Sequence, residues 1–600
     1  MTSEIQTKFL VVGAGPAGLA LAAFLGQNGL DGLVIAKAAS TSDTPRAHSF
    51  NPFAFECLRD LGIEEQALKQ SVRGHTLQSM RWARSMVGEE YGKVLGWSEH
   101  PSCVEHAYGL TPCEYAELSQ SELEPLLVRY ASHHNFEVRF STELIAIERL
   151  TGVSGYTQYV CTVHDLISHS TFKIRTRYLF GADGARSHIA RSLNFSFTSK
   201  ASGGKACNIL LRADLNHVMH KERHAALHWI VKPDRTTFPG LVAHLRMVEP
   251  WKKWVMVGFG VNGTNAFEEL TPESPELIEC VREIIGDDSV DIEILRIDPW
   301  TVRQSVADEY TLDHGTDVFL LGDAAHRHPP AYGLGSNTCI QDAYNLGWKI
   351  AYVLKGLAGP GLLKSYSEER QPVGAMLVHN ANQGLHAQVG VWEAVGMFAP
   401  SREEGAQQLA KLSQATEEGA TSRDKVRKAM ENVEEETKSW GAAYNQWYVS
   451  TAVYSEDEDS ARPTLDGNPI IVPQVTTYPG SRLPHVWLDV ATRQKMISTH
   501  DLAGKGAFCL LFGIGGEAWK KASVNISRNT GIPINAYGIG FGLDYSDVHR
   551  EWYAKRGVDE SGCVLVRPDR FVAWRSSKVA ADCEAKLKHV LDKVLSKGEL

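Results

Sequence analysis

No C-x-x-C pair occurs anywhere in the 600 residues, although ten cysteines are present. That spacing marks zinc ribbons and dithiol redox centres, so neither is expected and no metal site is assigned. There is no excess of positive charge either: 61 Lys+Arg stand against 71 Asp+Glu, a net charge of −10. Bulk binding to nucleic acid or to an anionic membrane is therefore disfavoured. No segment reads as a membrane span. The most apolar one, Phe9 to Leu30, is preceded by Glu4 and Lys8, is rich in glycine and lacks a small-residue cleavage pattern. It is read as neither signal peptide nor transmembrane helix. The ending Lys597-Gly598-Glu599-Leu600 has the look of an ER-retention tail, which carries little meaning without a signal peptide. Scattered cysteines fit a reducing, cytoplasmic setting.

What is present is the composition of an ordinary globular protein, 43% hydrophobic and 22% charged, long enough for two or three domains. The stretch 317–350 organises the reading. An apolar run from Val318 to Leu321 ends at Gly322-Asp323. A Pro-Pro, Gly-rich loop follows, Pro329 to Gly335, and a long amphipathic segment starts near Ser336. Strand, acidic turn, tight loop and helix N-terminus bring free backbone N–H groups and a positive helix end to one spot. The same pattern also serves as an ordinary strand-to-helix crossover.

Its partner lies at the start of the chain. Lys8 to Val12 reads as a buried strand, and Gly13-Ala14-Gly15-Pro16-Ala17-Gly18 is G-x-G-x-x-G. An apolar helix runs on through Leu25, Gly29 is a plausible C-cap, and Leu33-Val34-Ile35 is a second strand. The first glycine permits the tight turn, the second lets backbone approach a pyrophosphate, and the third lets helix pack on strand. The hexapeptide recurs at Gly258 to Gly263, but no apolar helix follows it there, and it is read as a strand end and turn. The acid that usually closes the second strand and holds ribose is missing. Ala36 occupies its place and Lys37 follows, so ribose must be held by backbone or by Lys37.

Further along, Arg46 is suited to a pyrophosphate or a ring face, or to a solvated loop. A helix over 114–132 carries Gln120, Glu124 and Leu127 at helical spacing. Gln120 is a candidate amide donor to a cofactor, or an exposed helical residue. Residues 136–180 read as a meander that ends at Gly181-Ala182-Asp183-Gly184-Ala185-Arg186-Ser187. A carboxylate among small residues at a strand end suits ribose or pyrophosphate, though it is also a common turn. From about 205 to 300 the chain is β-rich and aromatic, fit to wall an apolar pocket. Ser401 to Lys438, with Glu434-Glu435-Glu436, reads as exposed helices and linker. From 461 strands and helices alternate again.

Three motifs thus stand in one order: the fingerprint at 13–18, GADGARS at 181–187 and GDAAHRHPPAYGLGSN at 322–337. Together they resemble the class A flavoprotein aromatic monooxygenases, the para-hydroxybenzoate hydroxylase-like group. TPRAHSFNPFAFECLRDLG at 44–62, RLPHVWL at 482–488 and VLVRPDRFVAWR at 564–575 are similar to the branch of phenol hydroxylase and 2,4-dichlorophenol 6-monooxygenase. The resemblance implies an α/β fold. A Rossmann-like FAD-binding domain would occupy 1–385, with a substrate-binding sheet inserted at about 205–300. A helical connector would follow at 386–460, then a thioredoxin-like domain at 461–600 that lacks its dithiol. That last domain is expected to be structural or oligomerising, holding a homodimer together. A redox role for Cys509, Cys563 or Cys583 as a lone thiol is the lesser alternative.

The resemblance also implies site roles. Gly13, Ala14, Gly15, Pro16, Ala17 and Gly18 would hold the ADP part of FAD, with Lys37, Arg46 and Gln120 as further contacts. Asp183 would stand near the pyrophosphate, and is also proposed in the family to serve NAD(P)H. Asp323 would meet the ribityl chain, and Pro329 and Pro330 would shape the loop beside the isoalloxazine. Gly333, Leu334, Gly335, Ser336 and Asn337 would set backbone N–H groups at the flavin edge where negative charge develops on reduction. Ala190 stands where the family commonly has arginine, with Arg191 adjacent.

The implied reaction is hydroxylation of a phenolic or related aromatic ring. NADPH or NADH reduces the flavin, and oxygen adds to give a C4a-hydroperoxide that delivers its terminal oxygen. No second strand–fingerprint–helix unit is present, so the nicotinamide cofactor is expected to visit transiently. Nothing in the sequence names the base that ionises the phenol. His48, His106, Tyr108 and His228 are the candidates, and for each a residue that packs structurally is the preferred reading. Halogenation is disfavoured because W-x-W-x-I-P is absent. Baeyer–Villiger oxidation or epoxidation by the same intermediate stays open, as does a non-catalytic flavin-binding protein.

Overall fold

Three parallel strands, Glu4–Val12, Thr171–Gly181 and Val318–Leu320, run side by side through the first domain. Phe9 to Val12, Leu179 to Gly181 and the whole of the third strand are buried on both faces, as near-continuous apolar runs require. The full sheet has the order Phe136–Arg139, Gly32–Ile35, Glu4–Val12, Thr171–Gly181, Gln158–Asp165, Thr142–Leu150, with Val318–Leu320 joined to the far half of Thr171–Gly181. The computed structural model describes residues 4–73, 79–96, 109–150, 157–200, 204–235, 241–260, 267, 269–312, 315, 317–490 and 496–598.

The helix Pro16–Gln27 begins with proline at its first position, where the missing N–H costs nothing. It packs against the long helix Gly335–Leu354. Gly29, expected as a cap, has φ +76° just beyond the helix end. The segment 44–62 forms the helix Pro52–Leu61, with the Asn51 side chain accepting from Ala54 N–H and Gly62 in the left-handed region after it.

A second, seven-stranded sheet stands beside this domain. Its order is Glu293–Thr301, Lys205–Arg212, Lys253–Phe259, Leu241–Glu249, Leu227–Ile230, Ser79–Ala83, Glu90–Leu95. It therefore recruits two strands from well before the 205–300 stretch in which the sheet was expected. Strand alternation sorts its side chains. Leu245, Trp254 and Met256 pack with the helix Pro275–Ile285 on one face. Met80, Trp82 and Trp229 pack on the other face with Trp392 and Val395, and with Val426 and Val433 of the helix Glu417–Thr437. That helix was expected to be exposed. Its buried positions Val426, Val433, Glu436 and Thr437 recur at helical spacing along one side.

The last domain has a four-stranded mixed sheet in the order Ile534–Gly538, Phe508–Phe512, Cys563–Val566, Val572–Ser576. The first two strands are parallel and the other pairs antiparallel, with the helices Glu517–Thr530 and Cys583–Val594 packed together. This is the thioredoxin-like order. Cys509 and Cys563 are buried and unpaired, and burial pushes both thiols up, which makes them poor nucleophiles.

Buried charges dock this domain on the first. The Arg567 guanidinium donates two bonds to Glu369, at 2.6 and 2.8 Å, and Lys349 Nζ donates to the same carboxylate at 2.7 Å. Asn345 Nδ2 donates to Asp569 at 3.1 Å. Arg482 pairs with Glu56, and Arg570 with Asp60 at 2.9 Å. Asn345 and Lys349 both belong to the helix Gly335–Leu354. The last domain thus fixes the helix whose N-terminus the third motif builds. Among the described residues no helix is long and apolar enough to cross a membrane.

Candidate functional site

The three motifs, far apart in sequence, meet at the carboxyl ends of the three parallel strands. Val12 is paired with Gly181, and Gly181 with Leu320. Ala182 N–H donates to Val12 O at 2.9 Å and Leu321 N–H to Gly181 O at 2.9 Å. Ligands of open α/β sheets bind at this edge, outside the strand ends. Gly13 has φ +113°, and a Cβ there would lie 2.1 Å from Ala182 O, so only glycine permits the contact between first and second motifs. A Cβ on Gly18 would lie 2.0 Å from Gly13 O, so the helix can close on its strand only there. Gly15 differs: a Cβ there would meet nothing nearer than Glu124 Oε1 at 4.0 Å. The protein leaves that side of the loop open, and no side chain caps the helix behind it.

Beside this opening lies the Glu124 carboxyl, to which the expected contact residue Gln120 is bonded. Gln120 Nε2 donates to Glu124 Oε1 at 2.6 Å, and Glu124 Oε2 accepts from Ser42 N–H at 2.6 Å. Burial raises the Glu124 carboxyl, partly offset by these bonds and by Arg46 nearby. Arg46 is exposed, and its guanidinium makes no hydrogen bond among the described residues. Ala36 is buried, with its N–H and C=O bonded to Arg139 and Thr142, while Lys37 is exposed at the strand end.

Asp183 spends one oxygen on the next helix: Oδ2 accepts from His188 N–H at 2.6 Å and Ile189 N–H at 3.2 Å. Its Oδ1 is buried with no partner among the described residues. Asp323 lies in a helical turn packed against the turn Gly184–Arg186, exposed and with no side-chain hydrogen bond among the described residues. Arg327 feels both carboxylates. Beyond it the loop reaches Pro330, Gly333 and Leu334, and the helix Gly335–Leu354 starts with no side-chain cap. The N–H groups of Gly335, Ser336 and Asn337 open a helix buried at that end, where they have no intrahelical acceptor. The Asn337 side chain does something unforeseen. Nδ2 donates to Ser49 O at 2.9 Å and Gly333 O at 2.6 Å, and Oδ1 accepts from Asn51 N–H at 2.9 Å. It stitches the turn to the segment that carries His48.

The loop is also held from behind. Tyr332 has φ +64°, a strained value for a residue with a side chain. Glu436 Oε1 accepts its N–H at 2.7 Å, and Tyr332 Oη donates to Glu435 at 3.3 Å. Gly384 leaves room for the ring; a Cβ there would lie 2.7 Å from Tyr332 Cε2. A cavity beside the turn is lined by Ser49, Tyr115, Tyr332, Gly333 and Asn337, and is closed by Trp440 and Tyr444.

A group of polar residues that sequence reasoning did not assemble lies between the two domains. Arg246, from the second sheet, donates Nε–H to His48 Nδ1 at 3.1 Å and Nη2–H to Ser49 Oγ at 3.3 Å, and it pairs with Glu117. Ser49 Oγ and Tyr115 Oη are in contact, and Ser49 donates to Glu117 Oε1 at 3.2 Å. Burial and the Arg246 charge hold His48 well below its ordinary value, so the ring is neutral. Because Nδ1 accepts from Arg246, the ring proton sits on Nε2, which has no partner among the described residues. His228 leaves the set of candidates. Its register places it on the opposite face of the sheet, where it meets Trp254 edge-on and Nε2 is bonded to Ala225 O at 3.1 Å. Burial pushes it down to about 3. His106 and Tyr108 lie outside the described residues.

Residues 6–381 match the FAD-binding domain family, and residues 476–597 match the aromatic-ring hydroxylase C-terminal family. The chain belongs to the FAD-dependent aromatic-ring monooxygenases. It is 36% identical over 595 residues to phenol 2-monooxygenase of Pseudomonas sp. (strain EST1001), covering 98% of this chain and 93% of that one. It is 34% identical to 2,4-dichlorophenol 6-monooxygenase of Delftia acidovorans, covering 99% and 98%. Among solved structures, the flavin-dependent monooxygenase PieE in complex with FAD and substrate superposes with a TM-score of 0.91 at 32% identity, covering 99% of each chain. The monooxygenase uses FAD, with NAD(P)H as reductant, and hydroxylates aromatic rings.

The residues at the strand ends fit FAD. The open side of Gly15 and two uncapped helix N-termini suit a pyrophosphate and an electron-rich ring edge. The unpartnered Asp183 Oδ1 and the free Asp323 carboxylate suit hydroxyl donors. A Gly15→Ala substitution separates binding from folding, since its Cβ would enter open space. The variant is expected to keep the wild-type unfolding midpoint while FAD affinity falls by roughly tenfold or more, as titration of the apoprotein would measure. An unchanged affinity would remove Gly15 from the cradle.

Proposed function

We propose that this monooxygenase hydroxylates a phenolic ring held between the FAD cradle and the second sheet, with Arg246 and His48 gripping the phenolic oxygen. The reading is carried by the Arg246–His48 bond, which joins the sheet to the segment that Asn337 stitches to the turn. In this proposal Gly13 to Gly18, Arg46 and Gln120 hold the ADP half, with Lys37 at the ribose. Asp183 stands at the pyrophosphate, Asp323 takes the ribityl chain, and the N–H groups from Gly333 to Asn337 face the ring edge. FAD, when bound, supplies the transfer of electrons from NAD(P)H and the activation of oxygen.

The protein's part is to bind, orient and ionise the substrate. A phenol has a pKa near 10 in water, and its ring becomes electron-rich enough for attack once ionised. Charge-assisted donors lower that value by favouring the phenolate. His48 carries its proton on Nε2 and is neutral, so it serves as a donor to the phenolate and not as the base that removes the proton. The Arg246 guanidinium, kept desolvated by its burial, supplies the second donor. Glu117 neutralises Arg246 when the site is empty of substrate and keeps the fork in place. Among the described residues no second fingerprint unit is available to the nicotinamide cofactor, which is proposed to dock transiently at the cleft shared by Asp183 and Asp323.

The purified flavoprotein, mixed with NADPH and a panel of phenols under oxygen, tests this reading. Phenol-stimulated NADPH consumption should coincide with products heavier by one oxygen atom. A flavoprotein whose NADPH oxidation no phenol accelerates would overturn it.

A further inference from the structure

On the face of the second sheet that looks toward the cradle, buried polar atoms gather without partners. Among the described residues Trp82 Nε1, Trp229 Nε1 and Trp392 Nε1 are donors with no acceptor, and Gln388 Oε1 accepts no hydrogen bond. Their contacts tie them into one place. Trp82 and Trp229 are register partners with stacked rings, centroids 6.3 Å apart. Trp392 stands against Trp229 edge-on at 5.7 Å. Gln388, one turn before Trp392 on the helix Ser365–Ala394, reaches Met80 at 3.9 Å, and its amide lies against the Glu436 carboxyl. Glu436 in turn feels Arg246 and carries the Tyr332 backbone of the cofactor loop.

Indole N–H groups and carboxamide oxygens this deeply buried nearly always find partners within a protein. Each left unmade costs more than the bond would have contributed. Four in one aromatic-walled patch, next to the residues proposed to grip a phenolic oxygen, are what a site built for a polar aromatic ligand looks like. Burial raises the Glu436 carboxyl, partly offset by the Tyr332 N–H, Gln388 and Arg246.

We propose that Gln388 and Glu436 bind a second oxygen of the substrate, while Trp229 and Trp392 donate to a carbonyl or ether oxygen beside it. The substrate class is then an oxygen-rich aromatic, a dihydroxy or hydroxy-keto ring system, in preference to plain phenol. This rests on the hydroxylase reading above. It adds a second recognition end to the one formed by Arg246 and His48. A site that hydrogen-bonds a substrate oxygen rejects the analogue lacking it far more strongly than an apolar wall rejects a missing methylene.

The test is titration of the flavin-loaded protein with phenol, resorcinol and 2,4-dihydroxyacetophenone, following the perturbation of the flavin spectrum. Wild type is expected to bind dihydroxyacetophenone at least about tenfold tighter than phenol. Trp392→Phe keeps a ring but loses the N–H, and Gln388→Leu loses the amide. Each should erase most of that preference and leave phenol affinity within about twofold. Flavin content and thermal midpoint of both variants show that each has folded, and Trp229→Phe replaces either one that has not. Equal affinity of wild type for the three ligands would overturn the inference, as would a preference that survives in every folded variant. A flavin spectrum that responds to none of the three, together with NADPH oxidation that no phenol accelerates, would overturn the hydroxylase reading itself and this inference with it.

Discussion

Replacing Arg246 with methionine should lower kcat/KM for a phenolic substrate by about 10²–10³-fold, the range found when one preorganised donor to a developing oxyanion is removed. FAD retention should not change, because Arg246 lies on the second sheet and its partners are His48, Ser49 and Glu117. The loss should be concentrated at low pH, where the free phenol is un-ionised and needs the donor most, and should shrink as pH approaches the phenol's own value near 10. Removing one member of a buried pair also strands Glu117, which has a cost in stability of its own. Arg246→Lys separates the two effects. It keeps a charge for Glu117 but lacks the planar fork that reaches His48 and Ser49 together, and should fall between wild type and Arg246→Met. A pH–rate profile that drops uniformly in both variants would point to lost packing and not to phenolate stabilisation.

The second large effect concerns the interface with the thioredoxin-like domain. Arg567→Met would leave Asp569 buried without its cation and Glu369 with Lys349 alone, and is expected to cost about 3–5 kcal/mol. Arg567→Lys should recover part of this, since a single ammonium cannot serve both oxygens of Glu369. Flavin fluorescence during heating would report whether FAD leaves in the same transition. It should, because Asn345 and Lys349 hold the helix that starts at the cofactor turn. The same interface has an acid limb. Burial pushes the Glu56 carboxyl up, but Arg482 and His500 outweigh it and bring it down from 4.5 to about 2. A carboxylate depressed in the folded state contributes stability that is complete above its unfolded value and is lost as pH falls toward about 2. The urea midpoint of Glu56→Gln should lie below that of wild type at neutral pH and converge with it in acid. A domain that was merely tethered would show neither effect.

The cradle was legible because each piece is local. Gly13 to Gly18, Asp183 and Asp323 are strand–turn units whose chemistry is written in adjacent residues, and the sheet only has to bring three strand ends together. The Arg246 group was not legible, because its partners lie 198 residues away at His48 and 129 residues away at Glu117. His48 was in view but its role was not: only the hydrogen bond from Arg246 fixes the ring proton on Nε2. His228 illustrates the converse. One residue of register decides which face of a strand a side chain takes, and register is set by neighbours 15 or more positions away. Glu436 was hidden by its own composition. A run of three glutamates reads as a solvated face, yet the helical phase that buries Val426 and Val433 carries Glu436 inward with them. The end of the second strand carries no acid, and the structure shows Ala36 enclosed by strand partners with Lys37 exposed beyond it.

The ionisation of a bound phenol tests the account most directly. A chromophoric phenol titrated with pH in the presence of excess flavin-loaded protein should show its phenolate band at a pH below that seen in water, and Arg246→Met should return the transition toward the solution value. Ionisation of the bound phenol at its solution pH in the wild-type protein would contradict the role given to Arg246 and His48.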